Sequence, residues 1–366
     1  MRTELIHLDR EHPDREAIER AGRVIRRGGL CAFPTETVYG LGGDALNPEA
    51  ARKIYAAKGR PSDNPLIVHI ADPERLPAIA AVLPPAADKL MDAFWPGPLT
   101  IILPKKELVP DATSGGLPTV AVRMPADPVA LQLIRASGGY IAAPSANASG
   151  RPSPTSAAHV MQDLSGRIEM VLDGGETEIG LESTIVDLTE EIPVVLRPGF
   201  INRDMLERVL GEVHLDPGLT DAGKDSGIRP KAPGMRYRHY APSAPLYVIE
   251  GEEEAVIAKL KELALSAVRA GLRPGIIASD MTAPIYAGVL PEGKSLICAV
   301  GDRKEDRTIA RNLFRTLREF DDGDVDVIYS EAFDTPQLGM AIMNRLLKAA
   351  GHQVIDAGGF FKHWEQ

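Results

Sequence analysis

The chain has 366 residues, of which 44% are hydrophobic and 25% are charged, a composition typical of a soluble globular enzyme. A chain of this length is expected to form two domains rather than one core. The formal net charge is −10; residues 1–215 carry 22 basic against 29 acidic side chains (−7), and residues 216–366 carry 19 against 22 (−3). Neither part has the basic excess that attracts nucleic acid, so strong direct nucleic-acid binding is not expected.

Membrane spans and secretion signals are not indicated. The sequence has no apolar run of 18 residues and no charged-then-apolar leader at Met1. Cys31 and Cys298 are its only cysteines, and both lie in apolar, strand-like runs, as buried thiols of a reducing compartment do. The eight histidines are scattered, so no structural zinc site is predicted. A cytoplasmic location is expected.

Residues 1–215 are predicted to form a mixed, curved α/β sheet surrounded by helices. Helical patterns cover 13–27, 48–57, 86–94, 127–136 and 155–164. Strand-like segments alternate with them: GLCAFP, PLIVHI, LTIILP, VAVRMP, YIAAPS, EMVLDG, STIVDL and PVVLRP. Several of these end in proline, which cannot donate to a ladder and so marks a strand end.

Residues 216–244 have the composition of a linker, being rich in Gly, Pro and charge and poor in aliphatic side chains. Its PGMRYRHYAP portion holds Tyr237, His239 and Tyr240, which a simple spacer does not need. Two hypotheses stand side by side: the segment docks the two domains, or it acts as a lid over a site.

Residues 245–366 alternate between strand and helix patterns, which predicts a small, parallel, doubly wound sheet. Ligands of such folds bind at the carboxyl ends of the strands, but no specific constellation is evident there. Gly288, Gly293, Lys294 and Ser295 match the G-x-x-x-x-G-K-S phosphate-loop pattern. A phosphate loop needs a helix at its lysine, whereas the strand-like LICAV follows here, so the match is interpreted as chance.

A second chance match lies at Gly40, Gly42 and Ala45, which spell G-x-G-x-x-A before a helix. The segment PTETVY separates them from the preceding strand, so a dinucleotide-binding fingerprint is only weakly indicated.

The segment 34–70 is the richest in groups that hold anions or small polar ligands. They are Thr35, Thr37, Lys58, Arg60, Ser62, Asn64 and His69. Lys58 and Arg60 follow a helical run and enter a Gly/Pro loop; in an extended loop, side chains two residues apart share a face. Two cations on one face fit a triphosphate or a carboxylate, and the alternative is a solvated loop.

Residues 143–156 form a second polar cluster directly after a strand. Ser145, Asn147, Ser149, Ser153 and Thr155 alternate with small residues that allow a ligand close to the backbone. The alternative is a turn-rich loop in which Ser153 or Thr155 caps the next helix.

Further polar groups lie in or beside apolar strands. Arg123 in TVAVRMP is costly unless it is paired or faces a cleft, and a buried salt bridge is the alternative. Ser183, Thr184 and Arg197 offer two hydroxyls and one more cation. Because no Ser–His–Asp order or nucleophile elbow is present, catalysis by positioning and charge neutralisation is favoured, as in phosphoryl or nucleotidyl transfer.

Together these segments resemble the YrdC-like family. PTETVYGLG, KGRPSDNPLIVHI, WPGPLTIIL, TVAVRMP, APSANASGRPSPT, ESTIVD and LRPG occur in order, and the linker and tail resemble those of its two-domain members. The resemblance implies a twisted, mixed-sheet YrdC-like domain with a concave cleft (1–215), a linker or lid (216–244) and a smaller Rossmann-like α/β domain (245–366). It also implies condensation of L-threonine, bicarbonate and ATP to threonylcarbamoyl-adenylate and pyrophosphate, for partner proteins that modify tRNA.

The resemblance also assigns site residues. It implies that the catalytic residues are Lys58, Arg60, Ser145 and Asn147. L-threonine is expected at Thr35, His69, Arg123, Ala143 and Ser183. ATP is expected at Lys58, Ser62, Thr119, Ser145, Ser153, Arg197 and Tyr237. Mg²⁺ is expected to be held through the ATP phosphates, without a protein metal cage or a tightly bound organic cofactor.

Two other functions stay open at this point. One is a carbamoyl-adenylate-forming enzyme, although the acylphosphatase and zinc-finger segments of such relatives are not found in the sequence. The other is an RNA-binding module, against which the acidic balance counts.

Overall fold

The computed structural model describes residues 1–220, 231–232 and 240–358. These residues form two compact units, of which the first contains 1–149, 153–219 and 231–232, and the second contains 150–152, 220 and 240–358. Tyr237 and His239 lie outside the described residues. The predicted domain boundaries at 215 and 244 stay predictions.

The first unit is built on strands that are mostly short and buried. They are β1 (Glu4–His7), β2 (Cys31–Phe33), β3 (Gly40–Asp44), β4 (Ile67–His69), β5 (Leu99–Pro104), β6 (Thr119–Arg123), β7 (Ile141–Ala142), β8 (Met170–Asp173), β9 (Thr184–Asp187), β10 (Val194–Arg197) and β11 (His214–Leu215). Strand β3 was not predicted, because its sequence GLGGD has three glycines and little β propensity.

The helices of residues 1–220 confirm the five predicted helical patterns to within two residues at each end. They are α1 (Arg15–Arg26), α2 (Pro48–Lys58), α3 (Leu76–Ile79), α4 (Pro85–Phe94), α5 (Asp111–Ser114), α6 (Pro128–Ala136), α7 (Ala157–Leu164), α8 (Arg203–Leu210) and α9 (Pro217–Thr220), with a 3₁₀ turn at Pro73–Arg75. Side-chain caps begin the longest of them: Asp14 accepts from the Ala17 amide, and Asn47 accepts from the Glu49 amide.

The eleven strands form one mixed sheet in the order β1-β8-β2-β3-β7-β4-β6-β5-β9-β10-β11. Strands β4 and β6 are parallel, whereas β5 runs antiparallel to β6, and β9 runs parallel to β5. The main core covers one face of the central strands through residues such as Val68, Val120 and Val122. Because side chains alternate along a strand, residues 67, 69, 121 and 123 lie on the opposite face.

The second unit is a five-stranded parallel sheet in the order β14-β13-β15-β12-β16. Its elements are β12 (Leu246–Glu250), α10 (Glu253–Arg269), β13 (Pro274–Ala278), α11 (Ala283–Ala287), β14 (Leu296–Ala299), α12 (Asp306–Asp322), β15 (Val327–Glu331), α13 (Gly339–Ala349) and β16 (Val354–Asp356). A mixed sheet and a separate parallel sheet confirm the predicted fold class. No helix in the described part of the chain has both the length and the apolar character needed to cross a membrane.

The phosphate-loop match at Gly288–Ser295 precedes strand β14 and not a helix, so its interpretation as chance is confirmed. Gly40 and Gly42 lie inside strand β3, where Gly42 approaches Phe33 so closely that an added Cβ would come within 2.9 Å of its ring. These glycines therefore serve sheet packing and do not form a phosphate-binding turn.

Candidate functional site

A row of residues crosses five adjacent strands of the large sheet at one end of those strands. This end of the strands is called the edge below. His69 is the last residue of β4 and lies opposite Arg123, the last residue of β6. Arg123 lies opposite Thr100 of β5, which in turn lies opposite Ile185 of β9. Arg197 of β10 lies opposite Ile185, at a register irregularity of the kind that re-aims a side chain. Neighbouring strands are about 4.8 Å apart, so segments distant in sequence become neighbours here.

Arg123 forms a buried ion pair with Glu36. Its Nη2 donates to Glu36 Oε1 at 2.6 Å, its Nη1 donates to Thr37 Oγ1 at 2.9 Å, and its Nε donates to the Gly97 carbonyl at 3.2 Å. Arg123 is 4% exposed and Glu36 is 5% exposed. The buried salt bridge considered as an alternative for Arg123 is therefore present, and it lies within the polar row.

His69 is buried beside this pair. Burial, and secondarily the Arg123 guanidinium, lower the pKa of His69 to about 3. Its Nδ1 lies 3.1 Å from the Ile67 carbonyl, and its ring meets Phe33 edge-on. The imidazole is therefore neutral at physiological pH and serves as a hydrogen-bonding group without charge.

Thr35 forms the turn that carries Glu36. Its hydroxyl donates to the Val38 carbonyl at 2.6 Å and accepts the amides of Thr37 and Val38, both at 3.2 Å. The Thr37 hydroxyl lies 2.8 Å from it. The structure thus gives Thr35 a role in shaping the loop, and its contact with a ligand stays a prediction.

Arg197 and Ser183 are joined at the β9–β10 end of the row. Arg197 Nε donates to the Ser183 carbonyl at 3.0 Å, and its Nη2 donates to the Ser183 hydroxyl at 3.1 Å. The Ser183 hydroxyl also lies 2.8 Å from that of Thr100. Gly199 packs against this segment, and an added Cβ would come within 2.6 Å of the Thr184 amide nitrogen. Close backbone packing therefore fixes Ser183 and Arg197 together.

Lys58 is the last residue of α2 and is 3% exposed. Gly59 follows in the left-handed conformation (φ 63°), which ends the helix. The prediction that Lys58 and Arg60 share a face of an extended loop is therefore wrong. Lys58 Nζ donates to the carbonyls of Ser145 and Asn147, which brings its charge to the second polar cluster.

Arg60 and Ser62 lie in the loop after α2. Arg60 is half-buried, and it donates to the carbonyls of Asn64 at 3.3 Å and Pro65 at 3.1 Å. Ser62 is exposed. Thr119 is half-buried at the start of β6, four residues before Arg123 and thus about 13 Å from it along the strand. Lys58 thus contacts the 143–156 segment, whereas Arg60 contacts the carbonyls of its own loop.

The segment 143–156 runs alongside the loop that carries Glu36. Ala143 is buried, and its amide donates to the Ile67 carbonyl at 2.9 Å. Ser145 forms an isolated antiparallel β-bridge with Gly40, and its hydroxyl donates to Asn147 Oδ1 at 2.6 Å. The Tyr39 amide donates to the Pro154 carbonyl at 2.9 Å, so both ends of the segment contact residues 39 and 40.

Ser153 is fully buried and donates to Glu182 Oε1 at 2.5 Å, next to Ser183. The cap of α7 is Ser156, which accepts from the His159 amide. The alternative in which Ser153 or Thr155 caps this helix is therefore wrong. Ser153 instead joins the 143–156 segment to the β9 end of the row.

Lys58 thus contacts the start of the 143–156 segment, Ser153 of that segment contacts Glu182, and the adjacent Ser183 contacts Arg197. The polar groups lie in two regions along the strands. His69, Arg123, Ser183 and Arg197 lie at one edge, and Thr119 lies at the opposite end of β6. Three members were missed from sequence: Glu36, Thr100 and Glu182. A carboxylate between two threonines in a motif otherwise poor in charge was the available signal for Glu36.

The described part of the linker contacts the same face of the sheet. Ala232 is fully buried in a small apolar cluster with Ile67, Ala121 and Ile185. Lys231 Nζ donates to Asp187 at 3.1 Å and to Glu190 at 2.6 Å. The predicted ATP contact of Tyr237 falls outside the described residues, and so do 221–230 and 233–239 of the predicted lid or docking segment 216–244.

The second unit contains a cavity of about 210 Å³ at the carboxyl ends of β12 and β15. Most of its charged lining is acidic: Glu250, Glu252, Glu253, Glu331 and Asp334 surround the single Arg303. Burial, followed by the charges of Asp356 and Asp334, raises the pKa of Glu250. The cavity lies at the position expected for a doubly wound sheet, but its charge is opposite to that of a phosphate site.

Two family models match the chain. One, described as "Telomere recombination" for the Sua5, YciO and YrdC proteins, covers residues 23–199. The other, described as "Threonylcarbamoyl-AMP synthase, C-terminal domain", covers residues 201–351.

Full-length relatives agree with both models. A Pyrococcus abyssi protein named threonylcarbamoyl-AMP synthase is 49% identical, with 94% of this chain and 97% of that protein covered. A Bacillus subtilis protein of the same name is 48% identical, with 92% and 94% covered. The crystal structure of P. abyssi Sua5 complexed with L-threonine matches with a TM-score of 0.89 at 47% identity, over 97% of this chain and 99% of that one. This chain belongs to the threonylcarbamoyl-AMP synthase family.

Proposed function

We propose that this chain is an L-threonylcarbamoyladenylate synthase. It is a nucleotidyltransferase that condenses L-threonine, bicarbonate and ATP to threonylcarbamoyl-AMP, pyrophosphate and water. The observation that carries the proposal is identity of 49% and 48% to relatives named for this product, over 94% and 92% of the chain. A relative was crystallised with L-threonine, which supports the amino acid as a substrate here.

We place the amino acid at the edge formed by His69, Arg123 and Ser183. Arg123 supplies positive charge for a carboxylate, and its surroundings are dry enough to strengthen that attraction. Neutral His69 and the Ser183 hydroxyl supply uncharged hydrogen bonds. The fixed Thr35 turn and the Ala143 backbone complete the set.

We place the nucleotide along the strands from this edge toward Thr119, and we include Lys58, Arg60, Ser62 and Ser145 among its contacts. The distance of about 13 Å between the two ends of β6 suits an extended nucleotide better than a small ligand. Ser153, Arg197 and Tyr237 complete the proposed ATP contacts, with Arg197 beside Ser183, where the two substrates meet.

The chemical task at that meeting point is electrostatic. The carbamate of threonine is an anion, and it must attack an α-phosphate that is also anionic. Lys58, Arg60 and Arg197 offset this repulsion, while Ser145 and Asn147 orient the reacting groups through the network that Lys58 organises. The protein supplies position and charge and forms no covalent bond with the substrate.

Mg²⁺ is proposed to accompany ATP. Among the described residues no group of three or more His, Cys, Asp or Glu side chains is arranged to hold a metal ion. Mg²⁺ keeps several waters and is usually bound through substrate phosphates, so it would need few ligands from this chain. Such an ion would neutralise charge on the departing pyrophosphate.

The surroundings of the reaction are also proposals. The product is an activated intermediate, so a transferase that modifies tRNA must consume it, while strong tRNA binding by this acidic chain is not required. No tightly bound organic cofactor is needed. Cys31 and Cys298 are both free and buried, which supports a reducing, cytoplasmic setting.

The test is release of pyrophosphate from ATP, with the adenylate product identified by mass spectrometry. Release should require L-threonine, bicarbonate and Mg²⁺ together. Threonine-independent release would contradict the proposal and favour a carbamoyl-adenylate-forming enzyme. Tight, salt-sensitive RNA binding that ATP does not affect, without turnover, would favour the RNA-binding module instead.

A further inference from the structure

Glu36 is buried in the site, yet only half of its carboxylate is used. Its Oε1 accepts from Arg123 at 2.6 Å. Its Oε2 is also buried and has no hydrogen-bond partner in the described part of the chain. A carboxylate has acceptor atoms only, so this oxygen can be satisfied only by a donor. A buried acceptor without a donor is costly, and this one adjoins the proposed substrate site.

The neighbouring donors point to other acceptors, and none of them donates to Glu36 Oε2. Nε, Nη1 and Nη2 of Arg123 donate to Gly97, Thr37 and Glu36 respectively. The Thr35 hydroxyl donates to the Val38 carbonyl. The donor that Glu36 Oε2 lacks is therefore not supplied by these side chains.

The residues proposed for threonine include no acceptor with a negative charge for its ammonium group. An amino acid brings an ammonium group as well as a carboxylate, and the ammonium needs acceptors. None of the five proposed contacts has an anionic side chain: Thr35, His69, Arg123, Ala143 and Ser183. Glu36 places a carboxylate directly beside Arg123.

We propose that Glu36 Oε2 accepts an N–H of the substrate's α-amino group and thereby selects amino acids over acids that lack this group. This role deepens the proposed function and rests on it. Arg123 and Glu36 then form a matched pair for the two charged ends of a zwitterion, which raises affinity and sets its orientation.

The loop geometry suits such a role. The Ile179 amide donates to the Glu36 carbonyl at 2.9 Å, and the Gly180 amide donates to the Thr37 carbonyl at 3.0 Å. The Thr35 turn and these two bonds hold the backbone on both sides of the carboxylate. A group held in this way loses little conformational freedom when a ligand binds.

The experiment compares two ligands by isothermal titration calorimetry on the full chain. The probes are L-threonine and (R)-3-hydroxybutanoate, in which hydrogen replaces the amino group. The wild-type protein should bind threonine more tightly by about 10-fold or more, the size of one charge-assisted hydrogen bond. In Glu36→Gln this preference should fall by about fivefold or more. A smaller fall would overturn the proposal and leave Glu36 as a structural partner of Arg123.

The matched control is Glu331→Gln in the second unit, where a buried carboxylate also pairs with an arginine but both oxygens have partners. It should leave the ratio of the two dissociation constants unchanged. Circular dichroism establishes that each variant is folded. If Glu36→Gln does not fold, Glu36→Asp replaces it: withdrawing the carboxylate by one methylene should lower the preference at least twofold, and an unchanged preference overturns the proposal.

The binding test is separate from turnover. If the wild-type protein makes the adenylate but Glu36→Gln keeps its preference for threonine, only the role of Glu36 fails. If Glu36→Gln loses the preference for threonine but the wild-type protein makes no adenylate, the proposed function fails while the contact between Glu36 and the amino group is retained.

Discussion

Two arginine–glutamate pairs, one in each unit, show different uses of the same chemistry. In the second unit Arg303 donates to Glu331 Oε2 at 2.8 Å, and the Ser279 amide donates to the same oxygen at 3.2 Å. The Tyr286 hydroxyl donates to Glu331 Oε1 at 2.8 Å. Both oxygens of Glu331 therefore have partners within the protein. In the first unit, by contrast, one buried oxygen of Glu36 has no donor among the residues that the structure describes.

The difference helps to distinguish an ion pair that stabilises the fold from one that belongs to a ligand-binding site. Burying two charges is expensive, and fully satisfied partners offset much of that cost. Glu331 joins the end of β15 to residues 279, 286 and 303, so its pair holds the second unit together. Glu36 and Arg123 lie among hydroxyls and a neutral histidine with acceptor capacity left over. In the second pair the buried atom without a partner in the described part of the chain is a donor, Arg303 Nε, whereas in the first it is a carboxylate oxygen, which suits the ammonium group of an amino acid.

The largest expected effect comes from removing the Lys58 ammonium while keeping its apolar stem. Lys58→Met should lower turnover by about two orders of magnitude or more, since it removes a charge that offsets repulsion between two anions. Pyrophosphate release at saturating substrates measures it. Lys53→Met, on the same helix but exposed and bonded to Gly28, should change turnover less than about twofold. Similar losses in the two variants would contradict a specific role for Lys58.

Breaking the pair in the second unit should affect stability and not binding. Glu331→Ala leaves the Arg303 charge without its carboxylate and the Ser279 amide without its acceptor. We expect a loss of about 2–3 kcal/mol in the free energy of unfolding, less than for a fully buried pair because Arg303 is 30% exposed. Urea denaturation followed by circular dichroism measures it. A shift in threonine affinity without a stability loss would remove the contrast between the units.

His69 gives the first unit a characteristic pH dependence. The pKa of His69 is lowered to about 3 in the folded protein, whereas an exposed histidine of the unfolded chain titrates near the ordinary value of 6.5. Between pH 6.5 and pH 3, His69 binds a proton in the unfolded state but not in the folded state. The free energy of unfolding therefore falls by up to about 1.4 kcal/mol for each pH unit of acidification. In His69→Asn this contribution should vanish. Unfolding free energies at pH 7.0, 6.0 and 5.0 provide the comparison, and parallel curves for the two proteins would show that His69 protonates equally in both states.

The smallest effect is expected at an exposed pair. Arg203 and Glu207 are four residues apart on α8, and their side chains are 46% and 37% exposed. Arg203→Ala should change the free energy of unfolding by about 0.5 kcal/mol or less, because water screens such pairs. A loss above about 1 kcal/mol would mean that burial is not what distinguishes the important pairs of this protein.

Much of the framework could be predicted from sequence because it depends on local patterns. Asp14 and Asn47 precede helices whose apolar spacing is clear, and buried strands such as β5 and β6 are continuous apolar runs. Strand β3 could not be predicted, since its glycines have no local preference and pairing with β2 and β7 alone makes it a strand. Ser156 was missed as a cap because three hydroxyl residues lie within four positions.

The candidate site was predicted as a set of residue types and not as a set of contacts. The sequence patterns indicated that Lys58, Arg123 and Arg197 are unusual cations, but their partners are set by the fold, which brings positions up to 89 residues apart into contact. Lys58 was predicted in a loop because the following Gly–Arg–Pro suggests one, whereas the helix continues to Lys58 itself. The unused oxygen of Glu36 is visible only in three dimensions.

The most direct test of the central claim is a crystal structure of the full chain with L-threonine and a non-hydrolysable ATP analogue. We expect the phosphates beside Lys58 and Arg197 in one continuous site of the first unit. The threonine amino group should lie within hydrogen-bond distance of Glu36 Oε2, about 3 Å. Phosphates bound away from both cations, or an amino acid turned away from Arg123 and Glu36, would contradict the account.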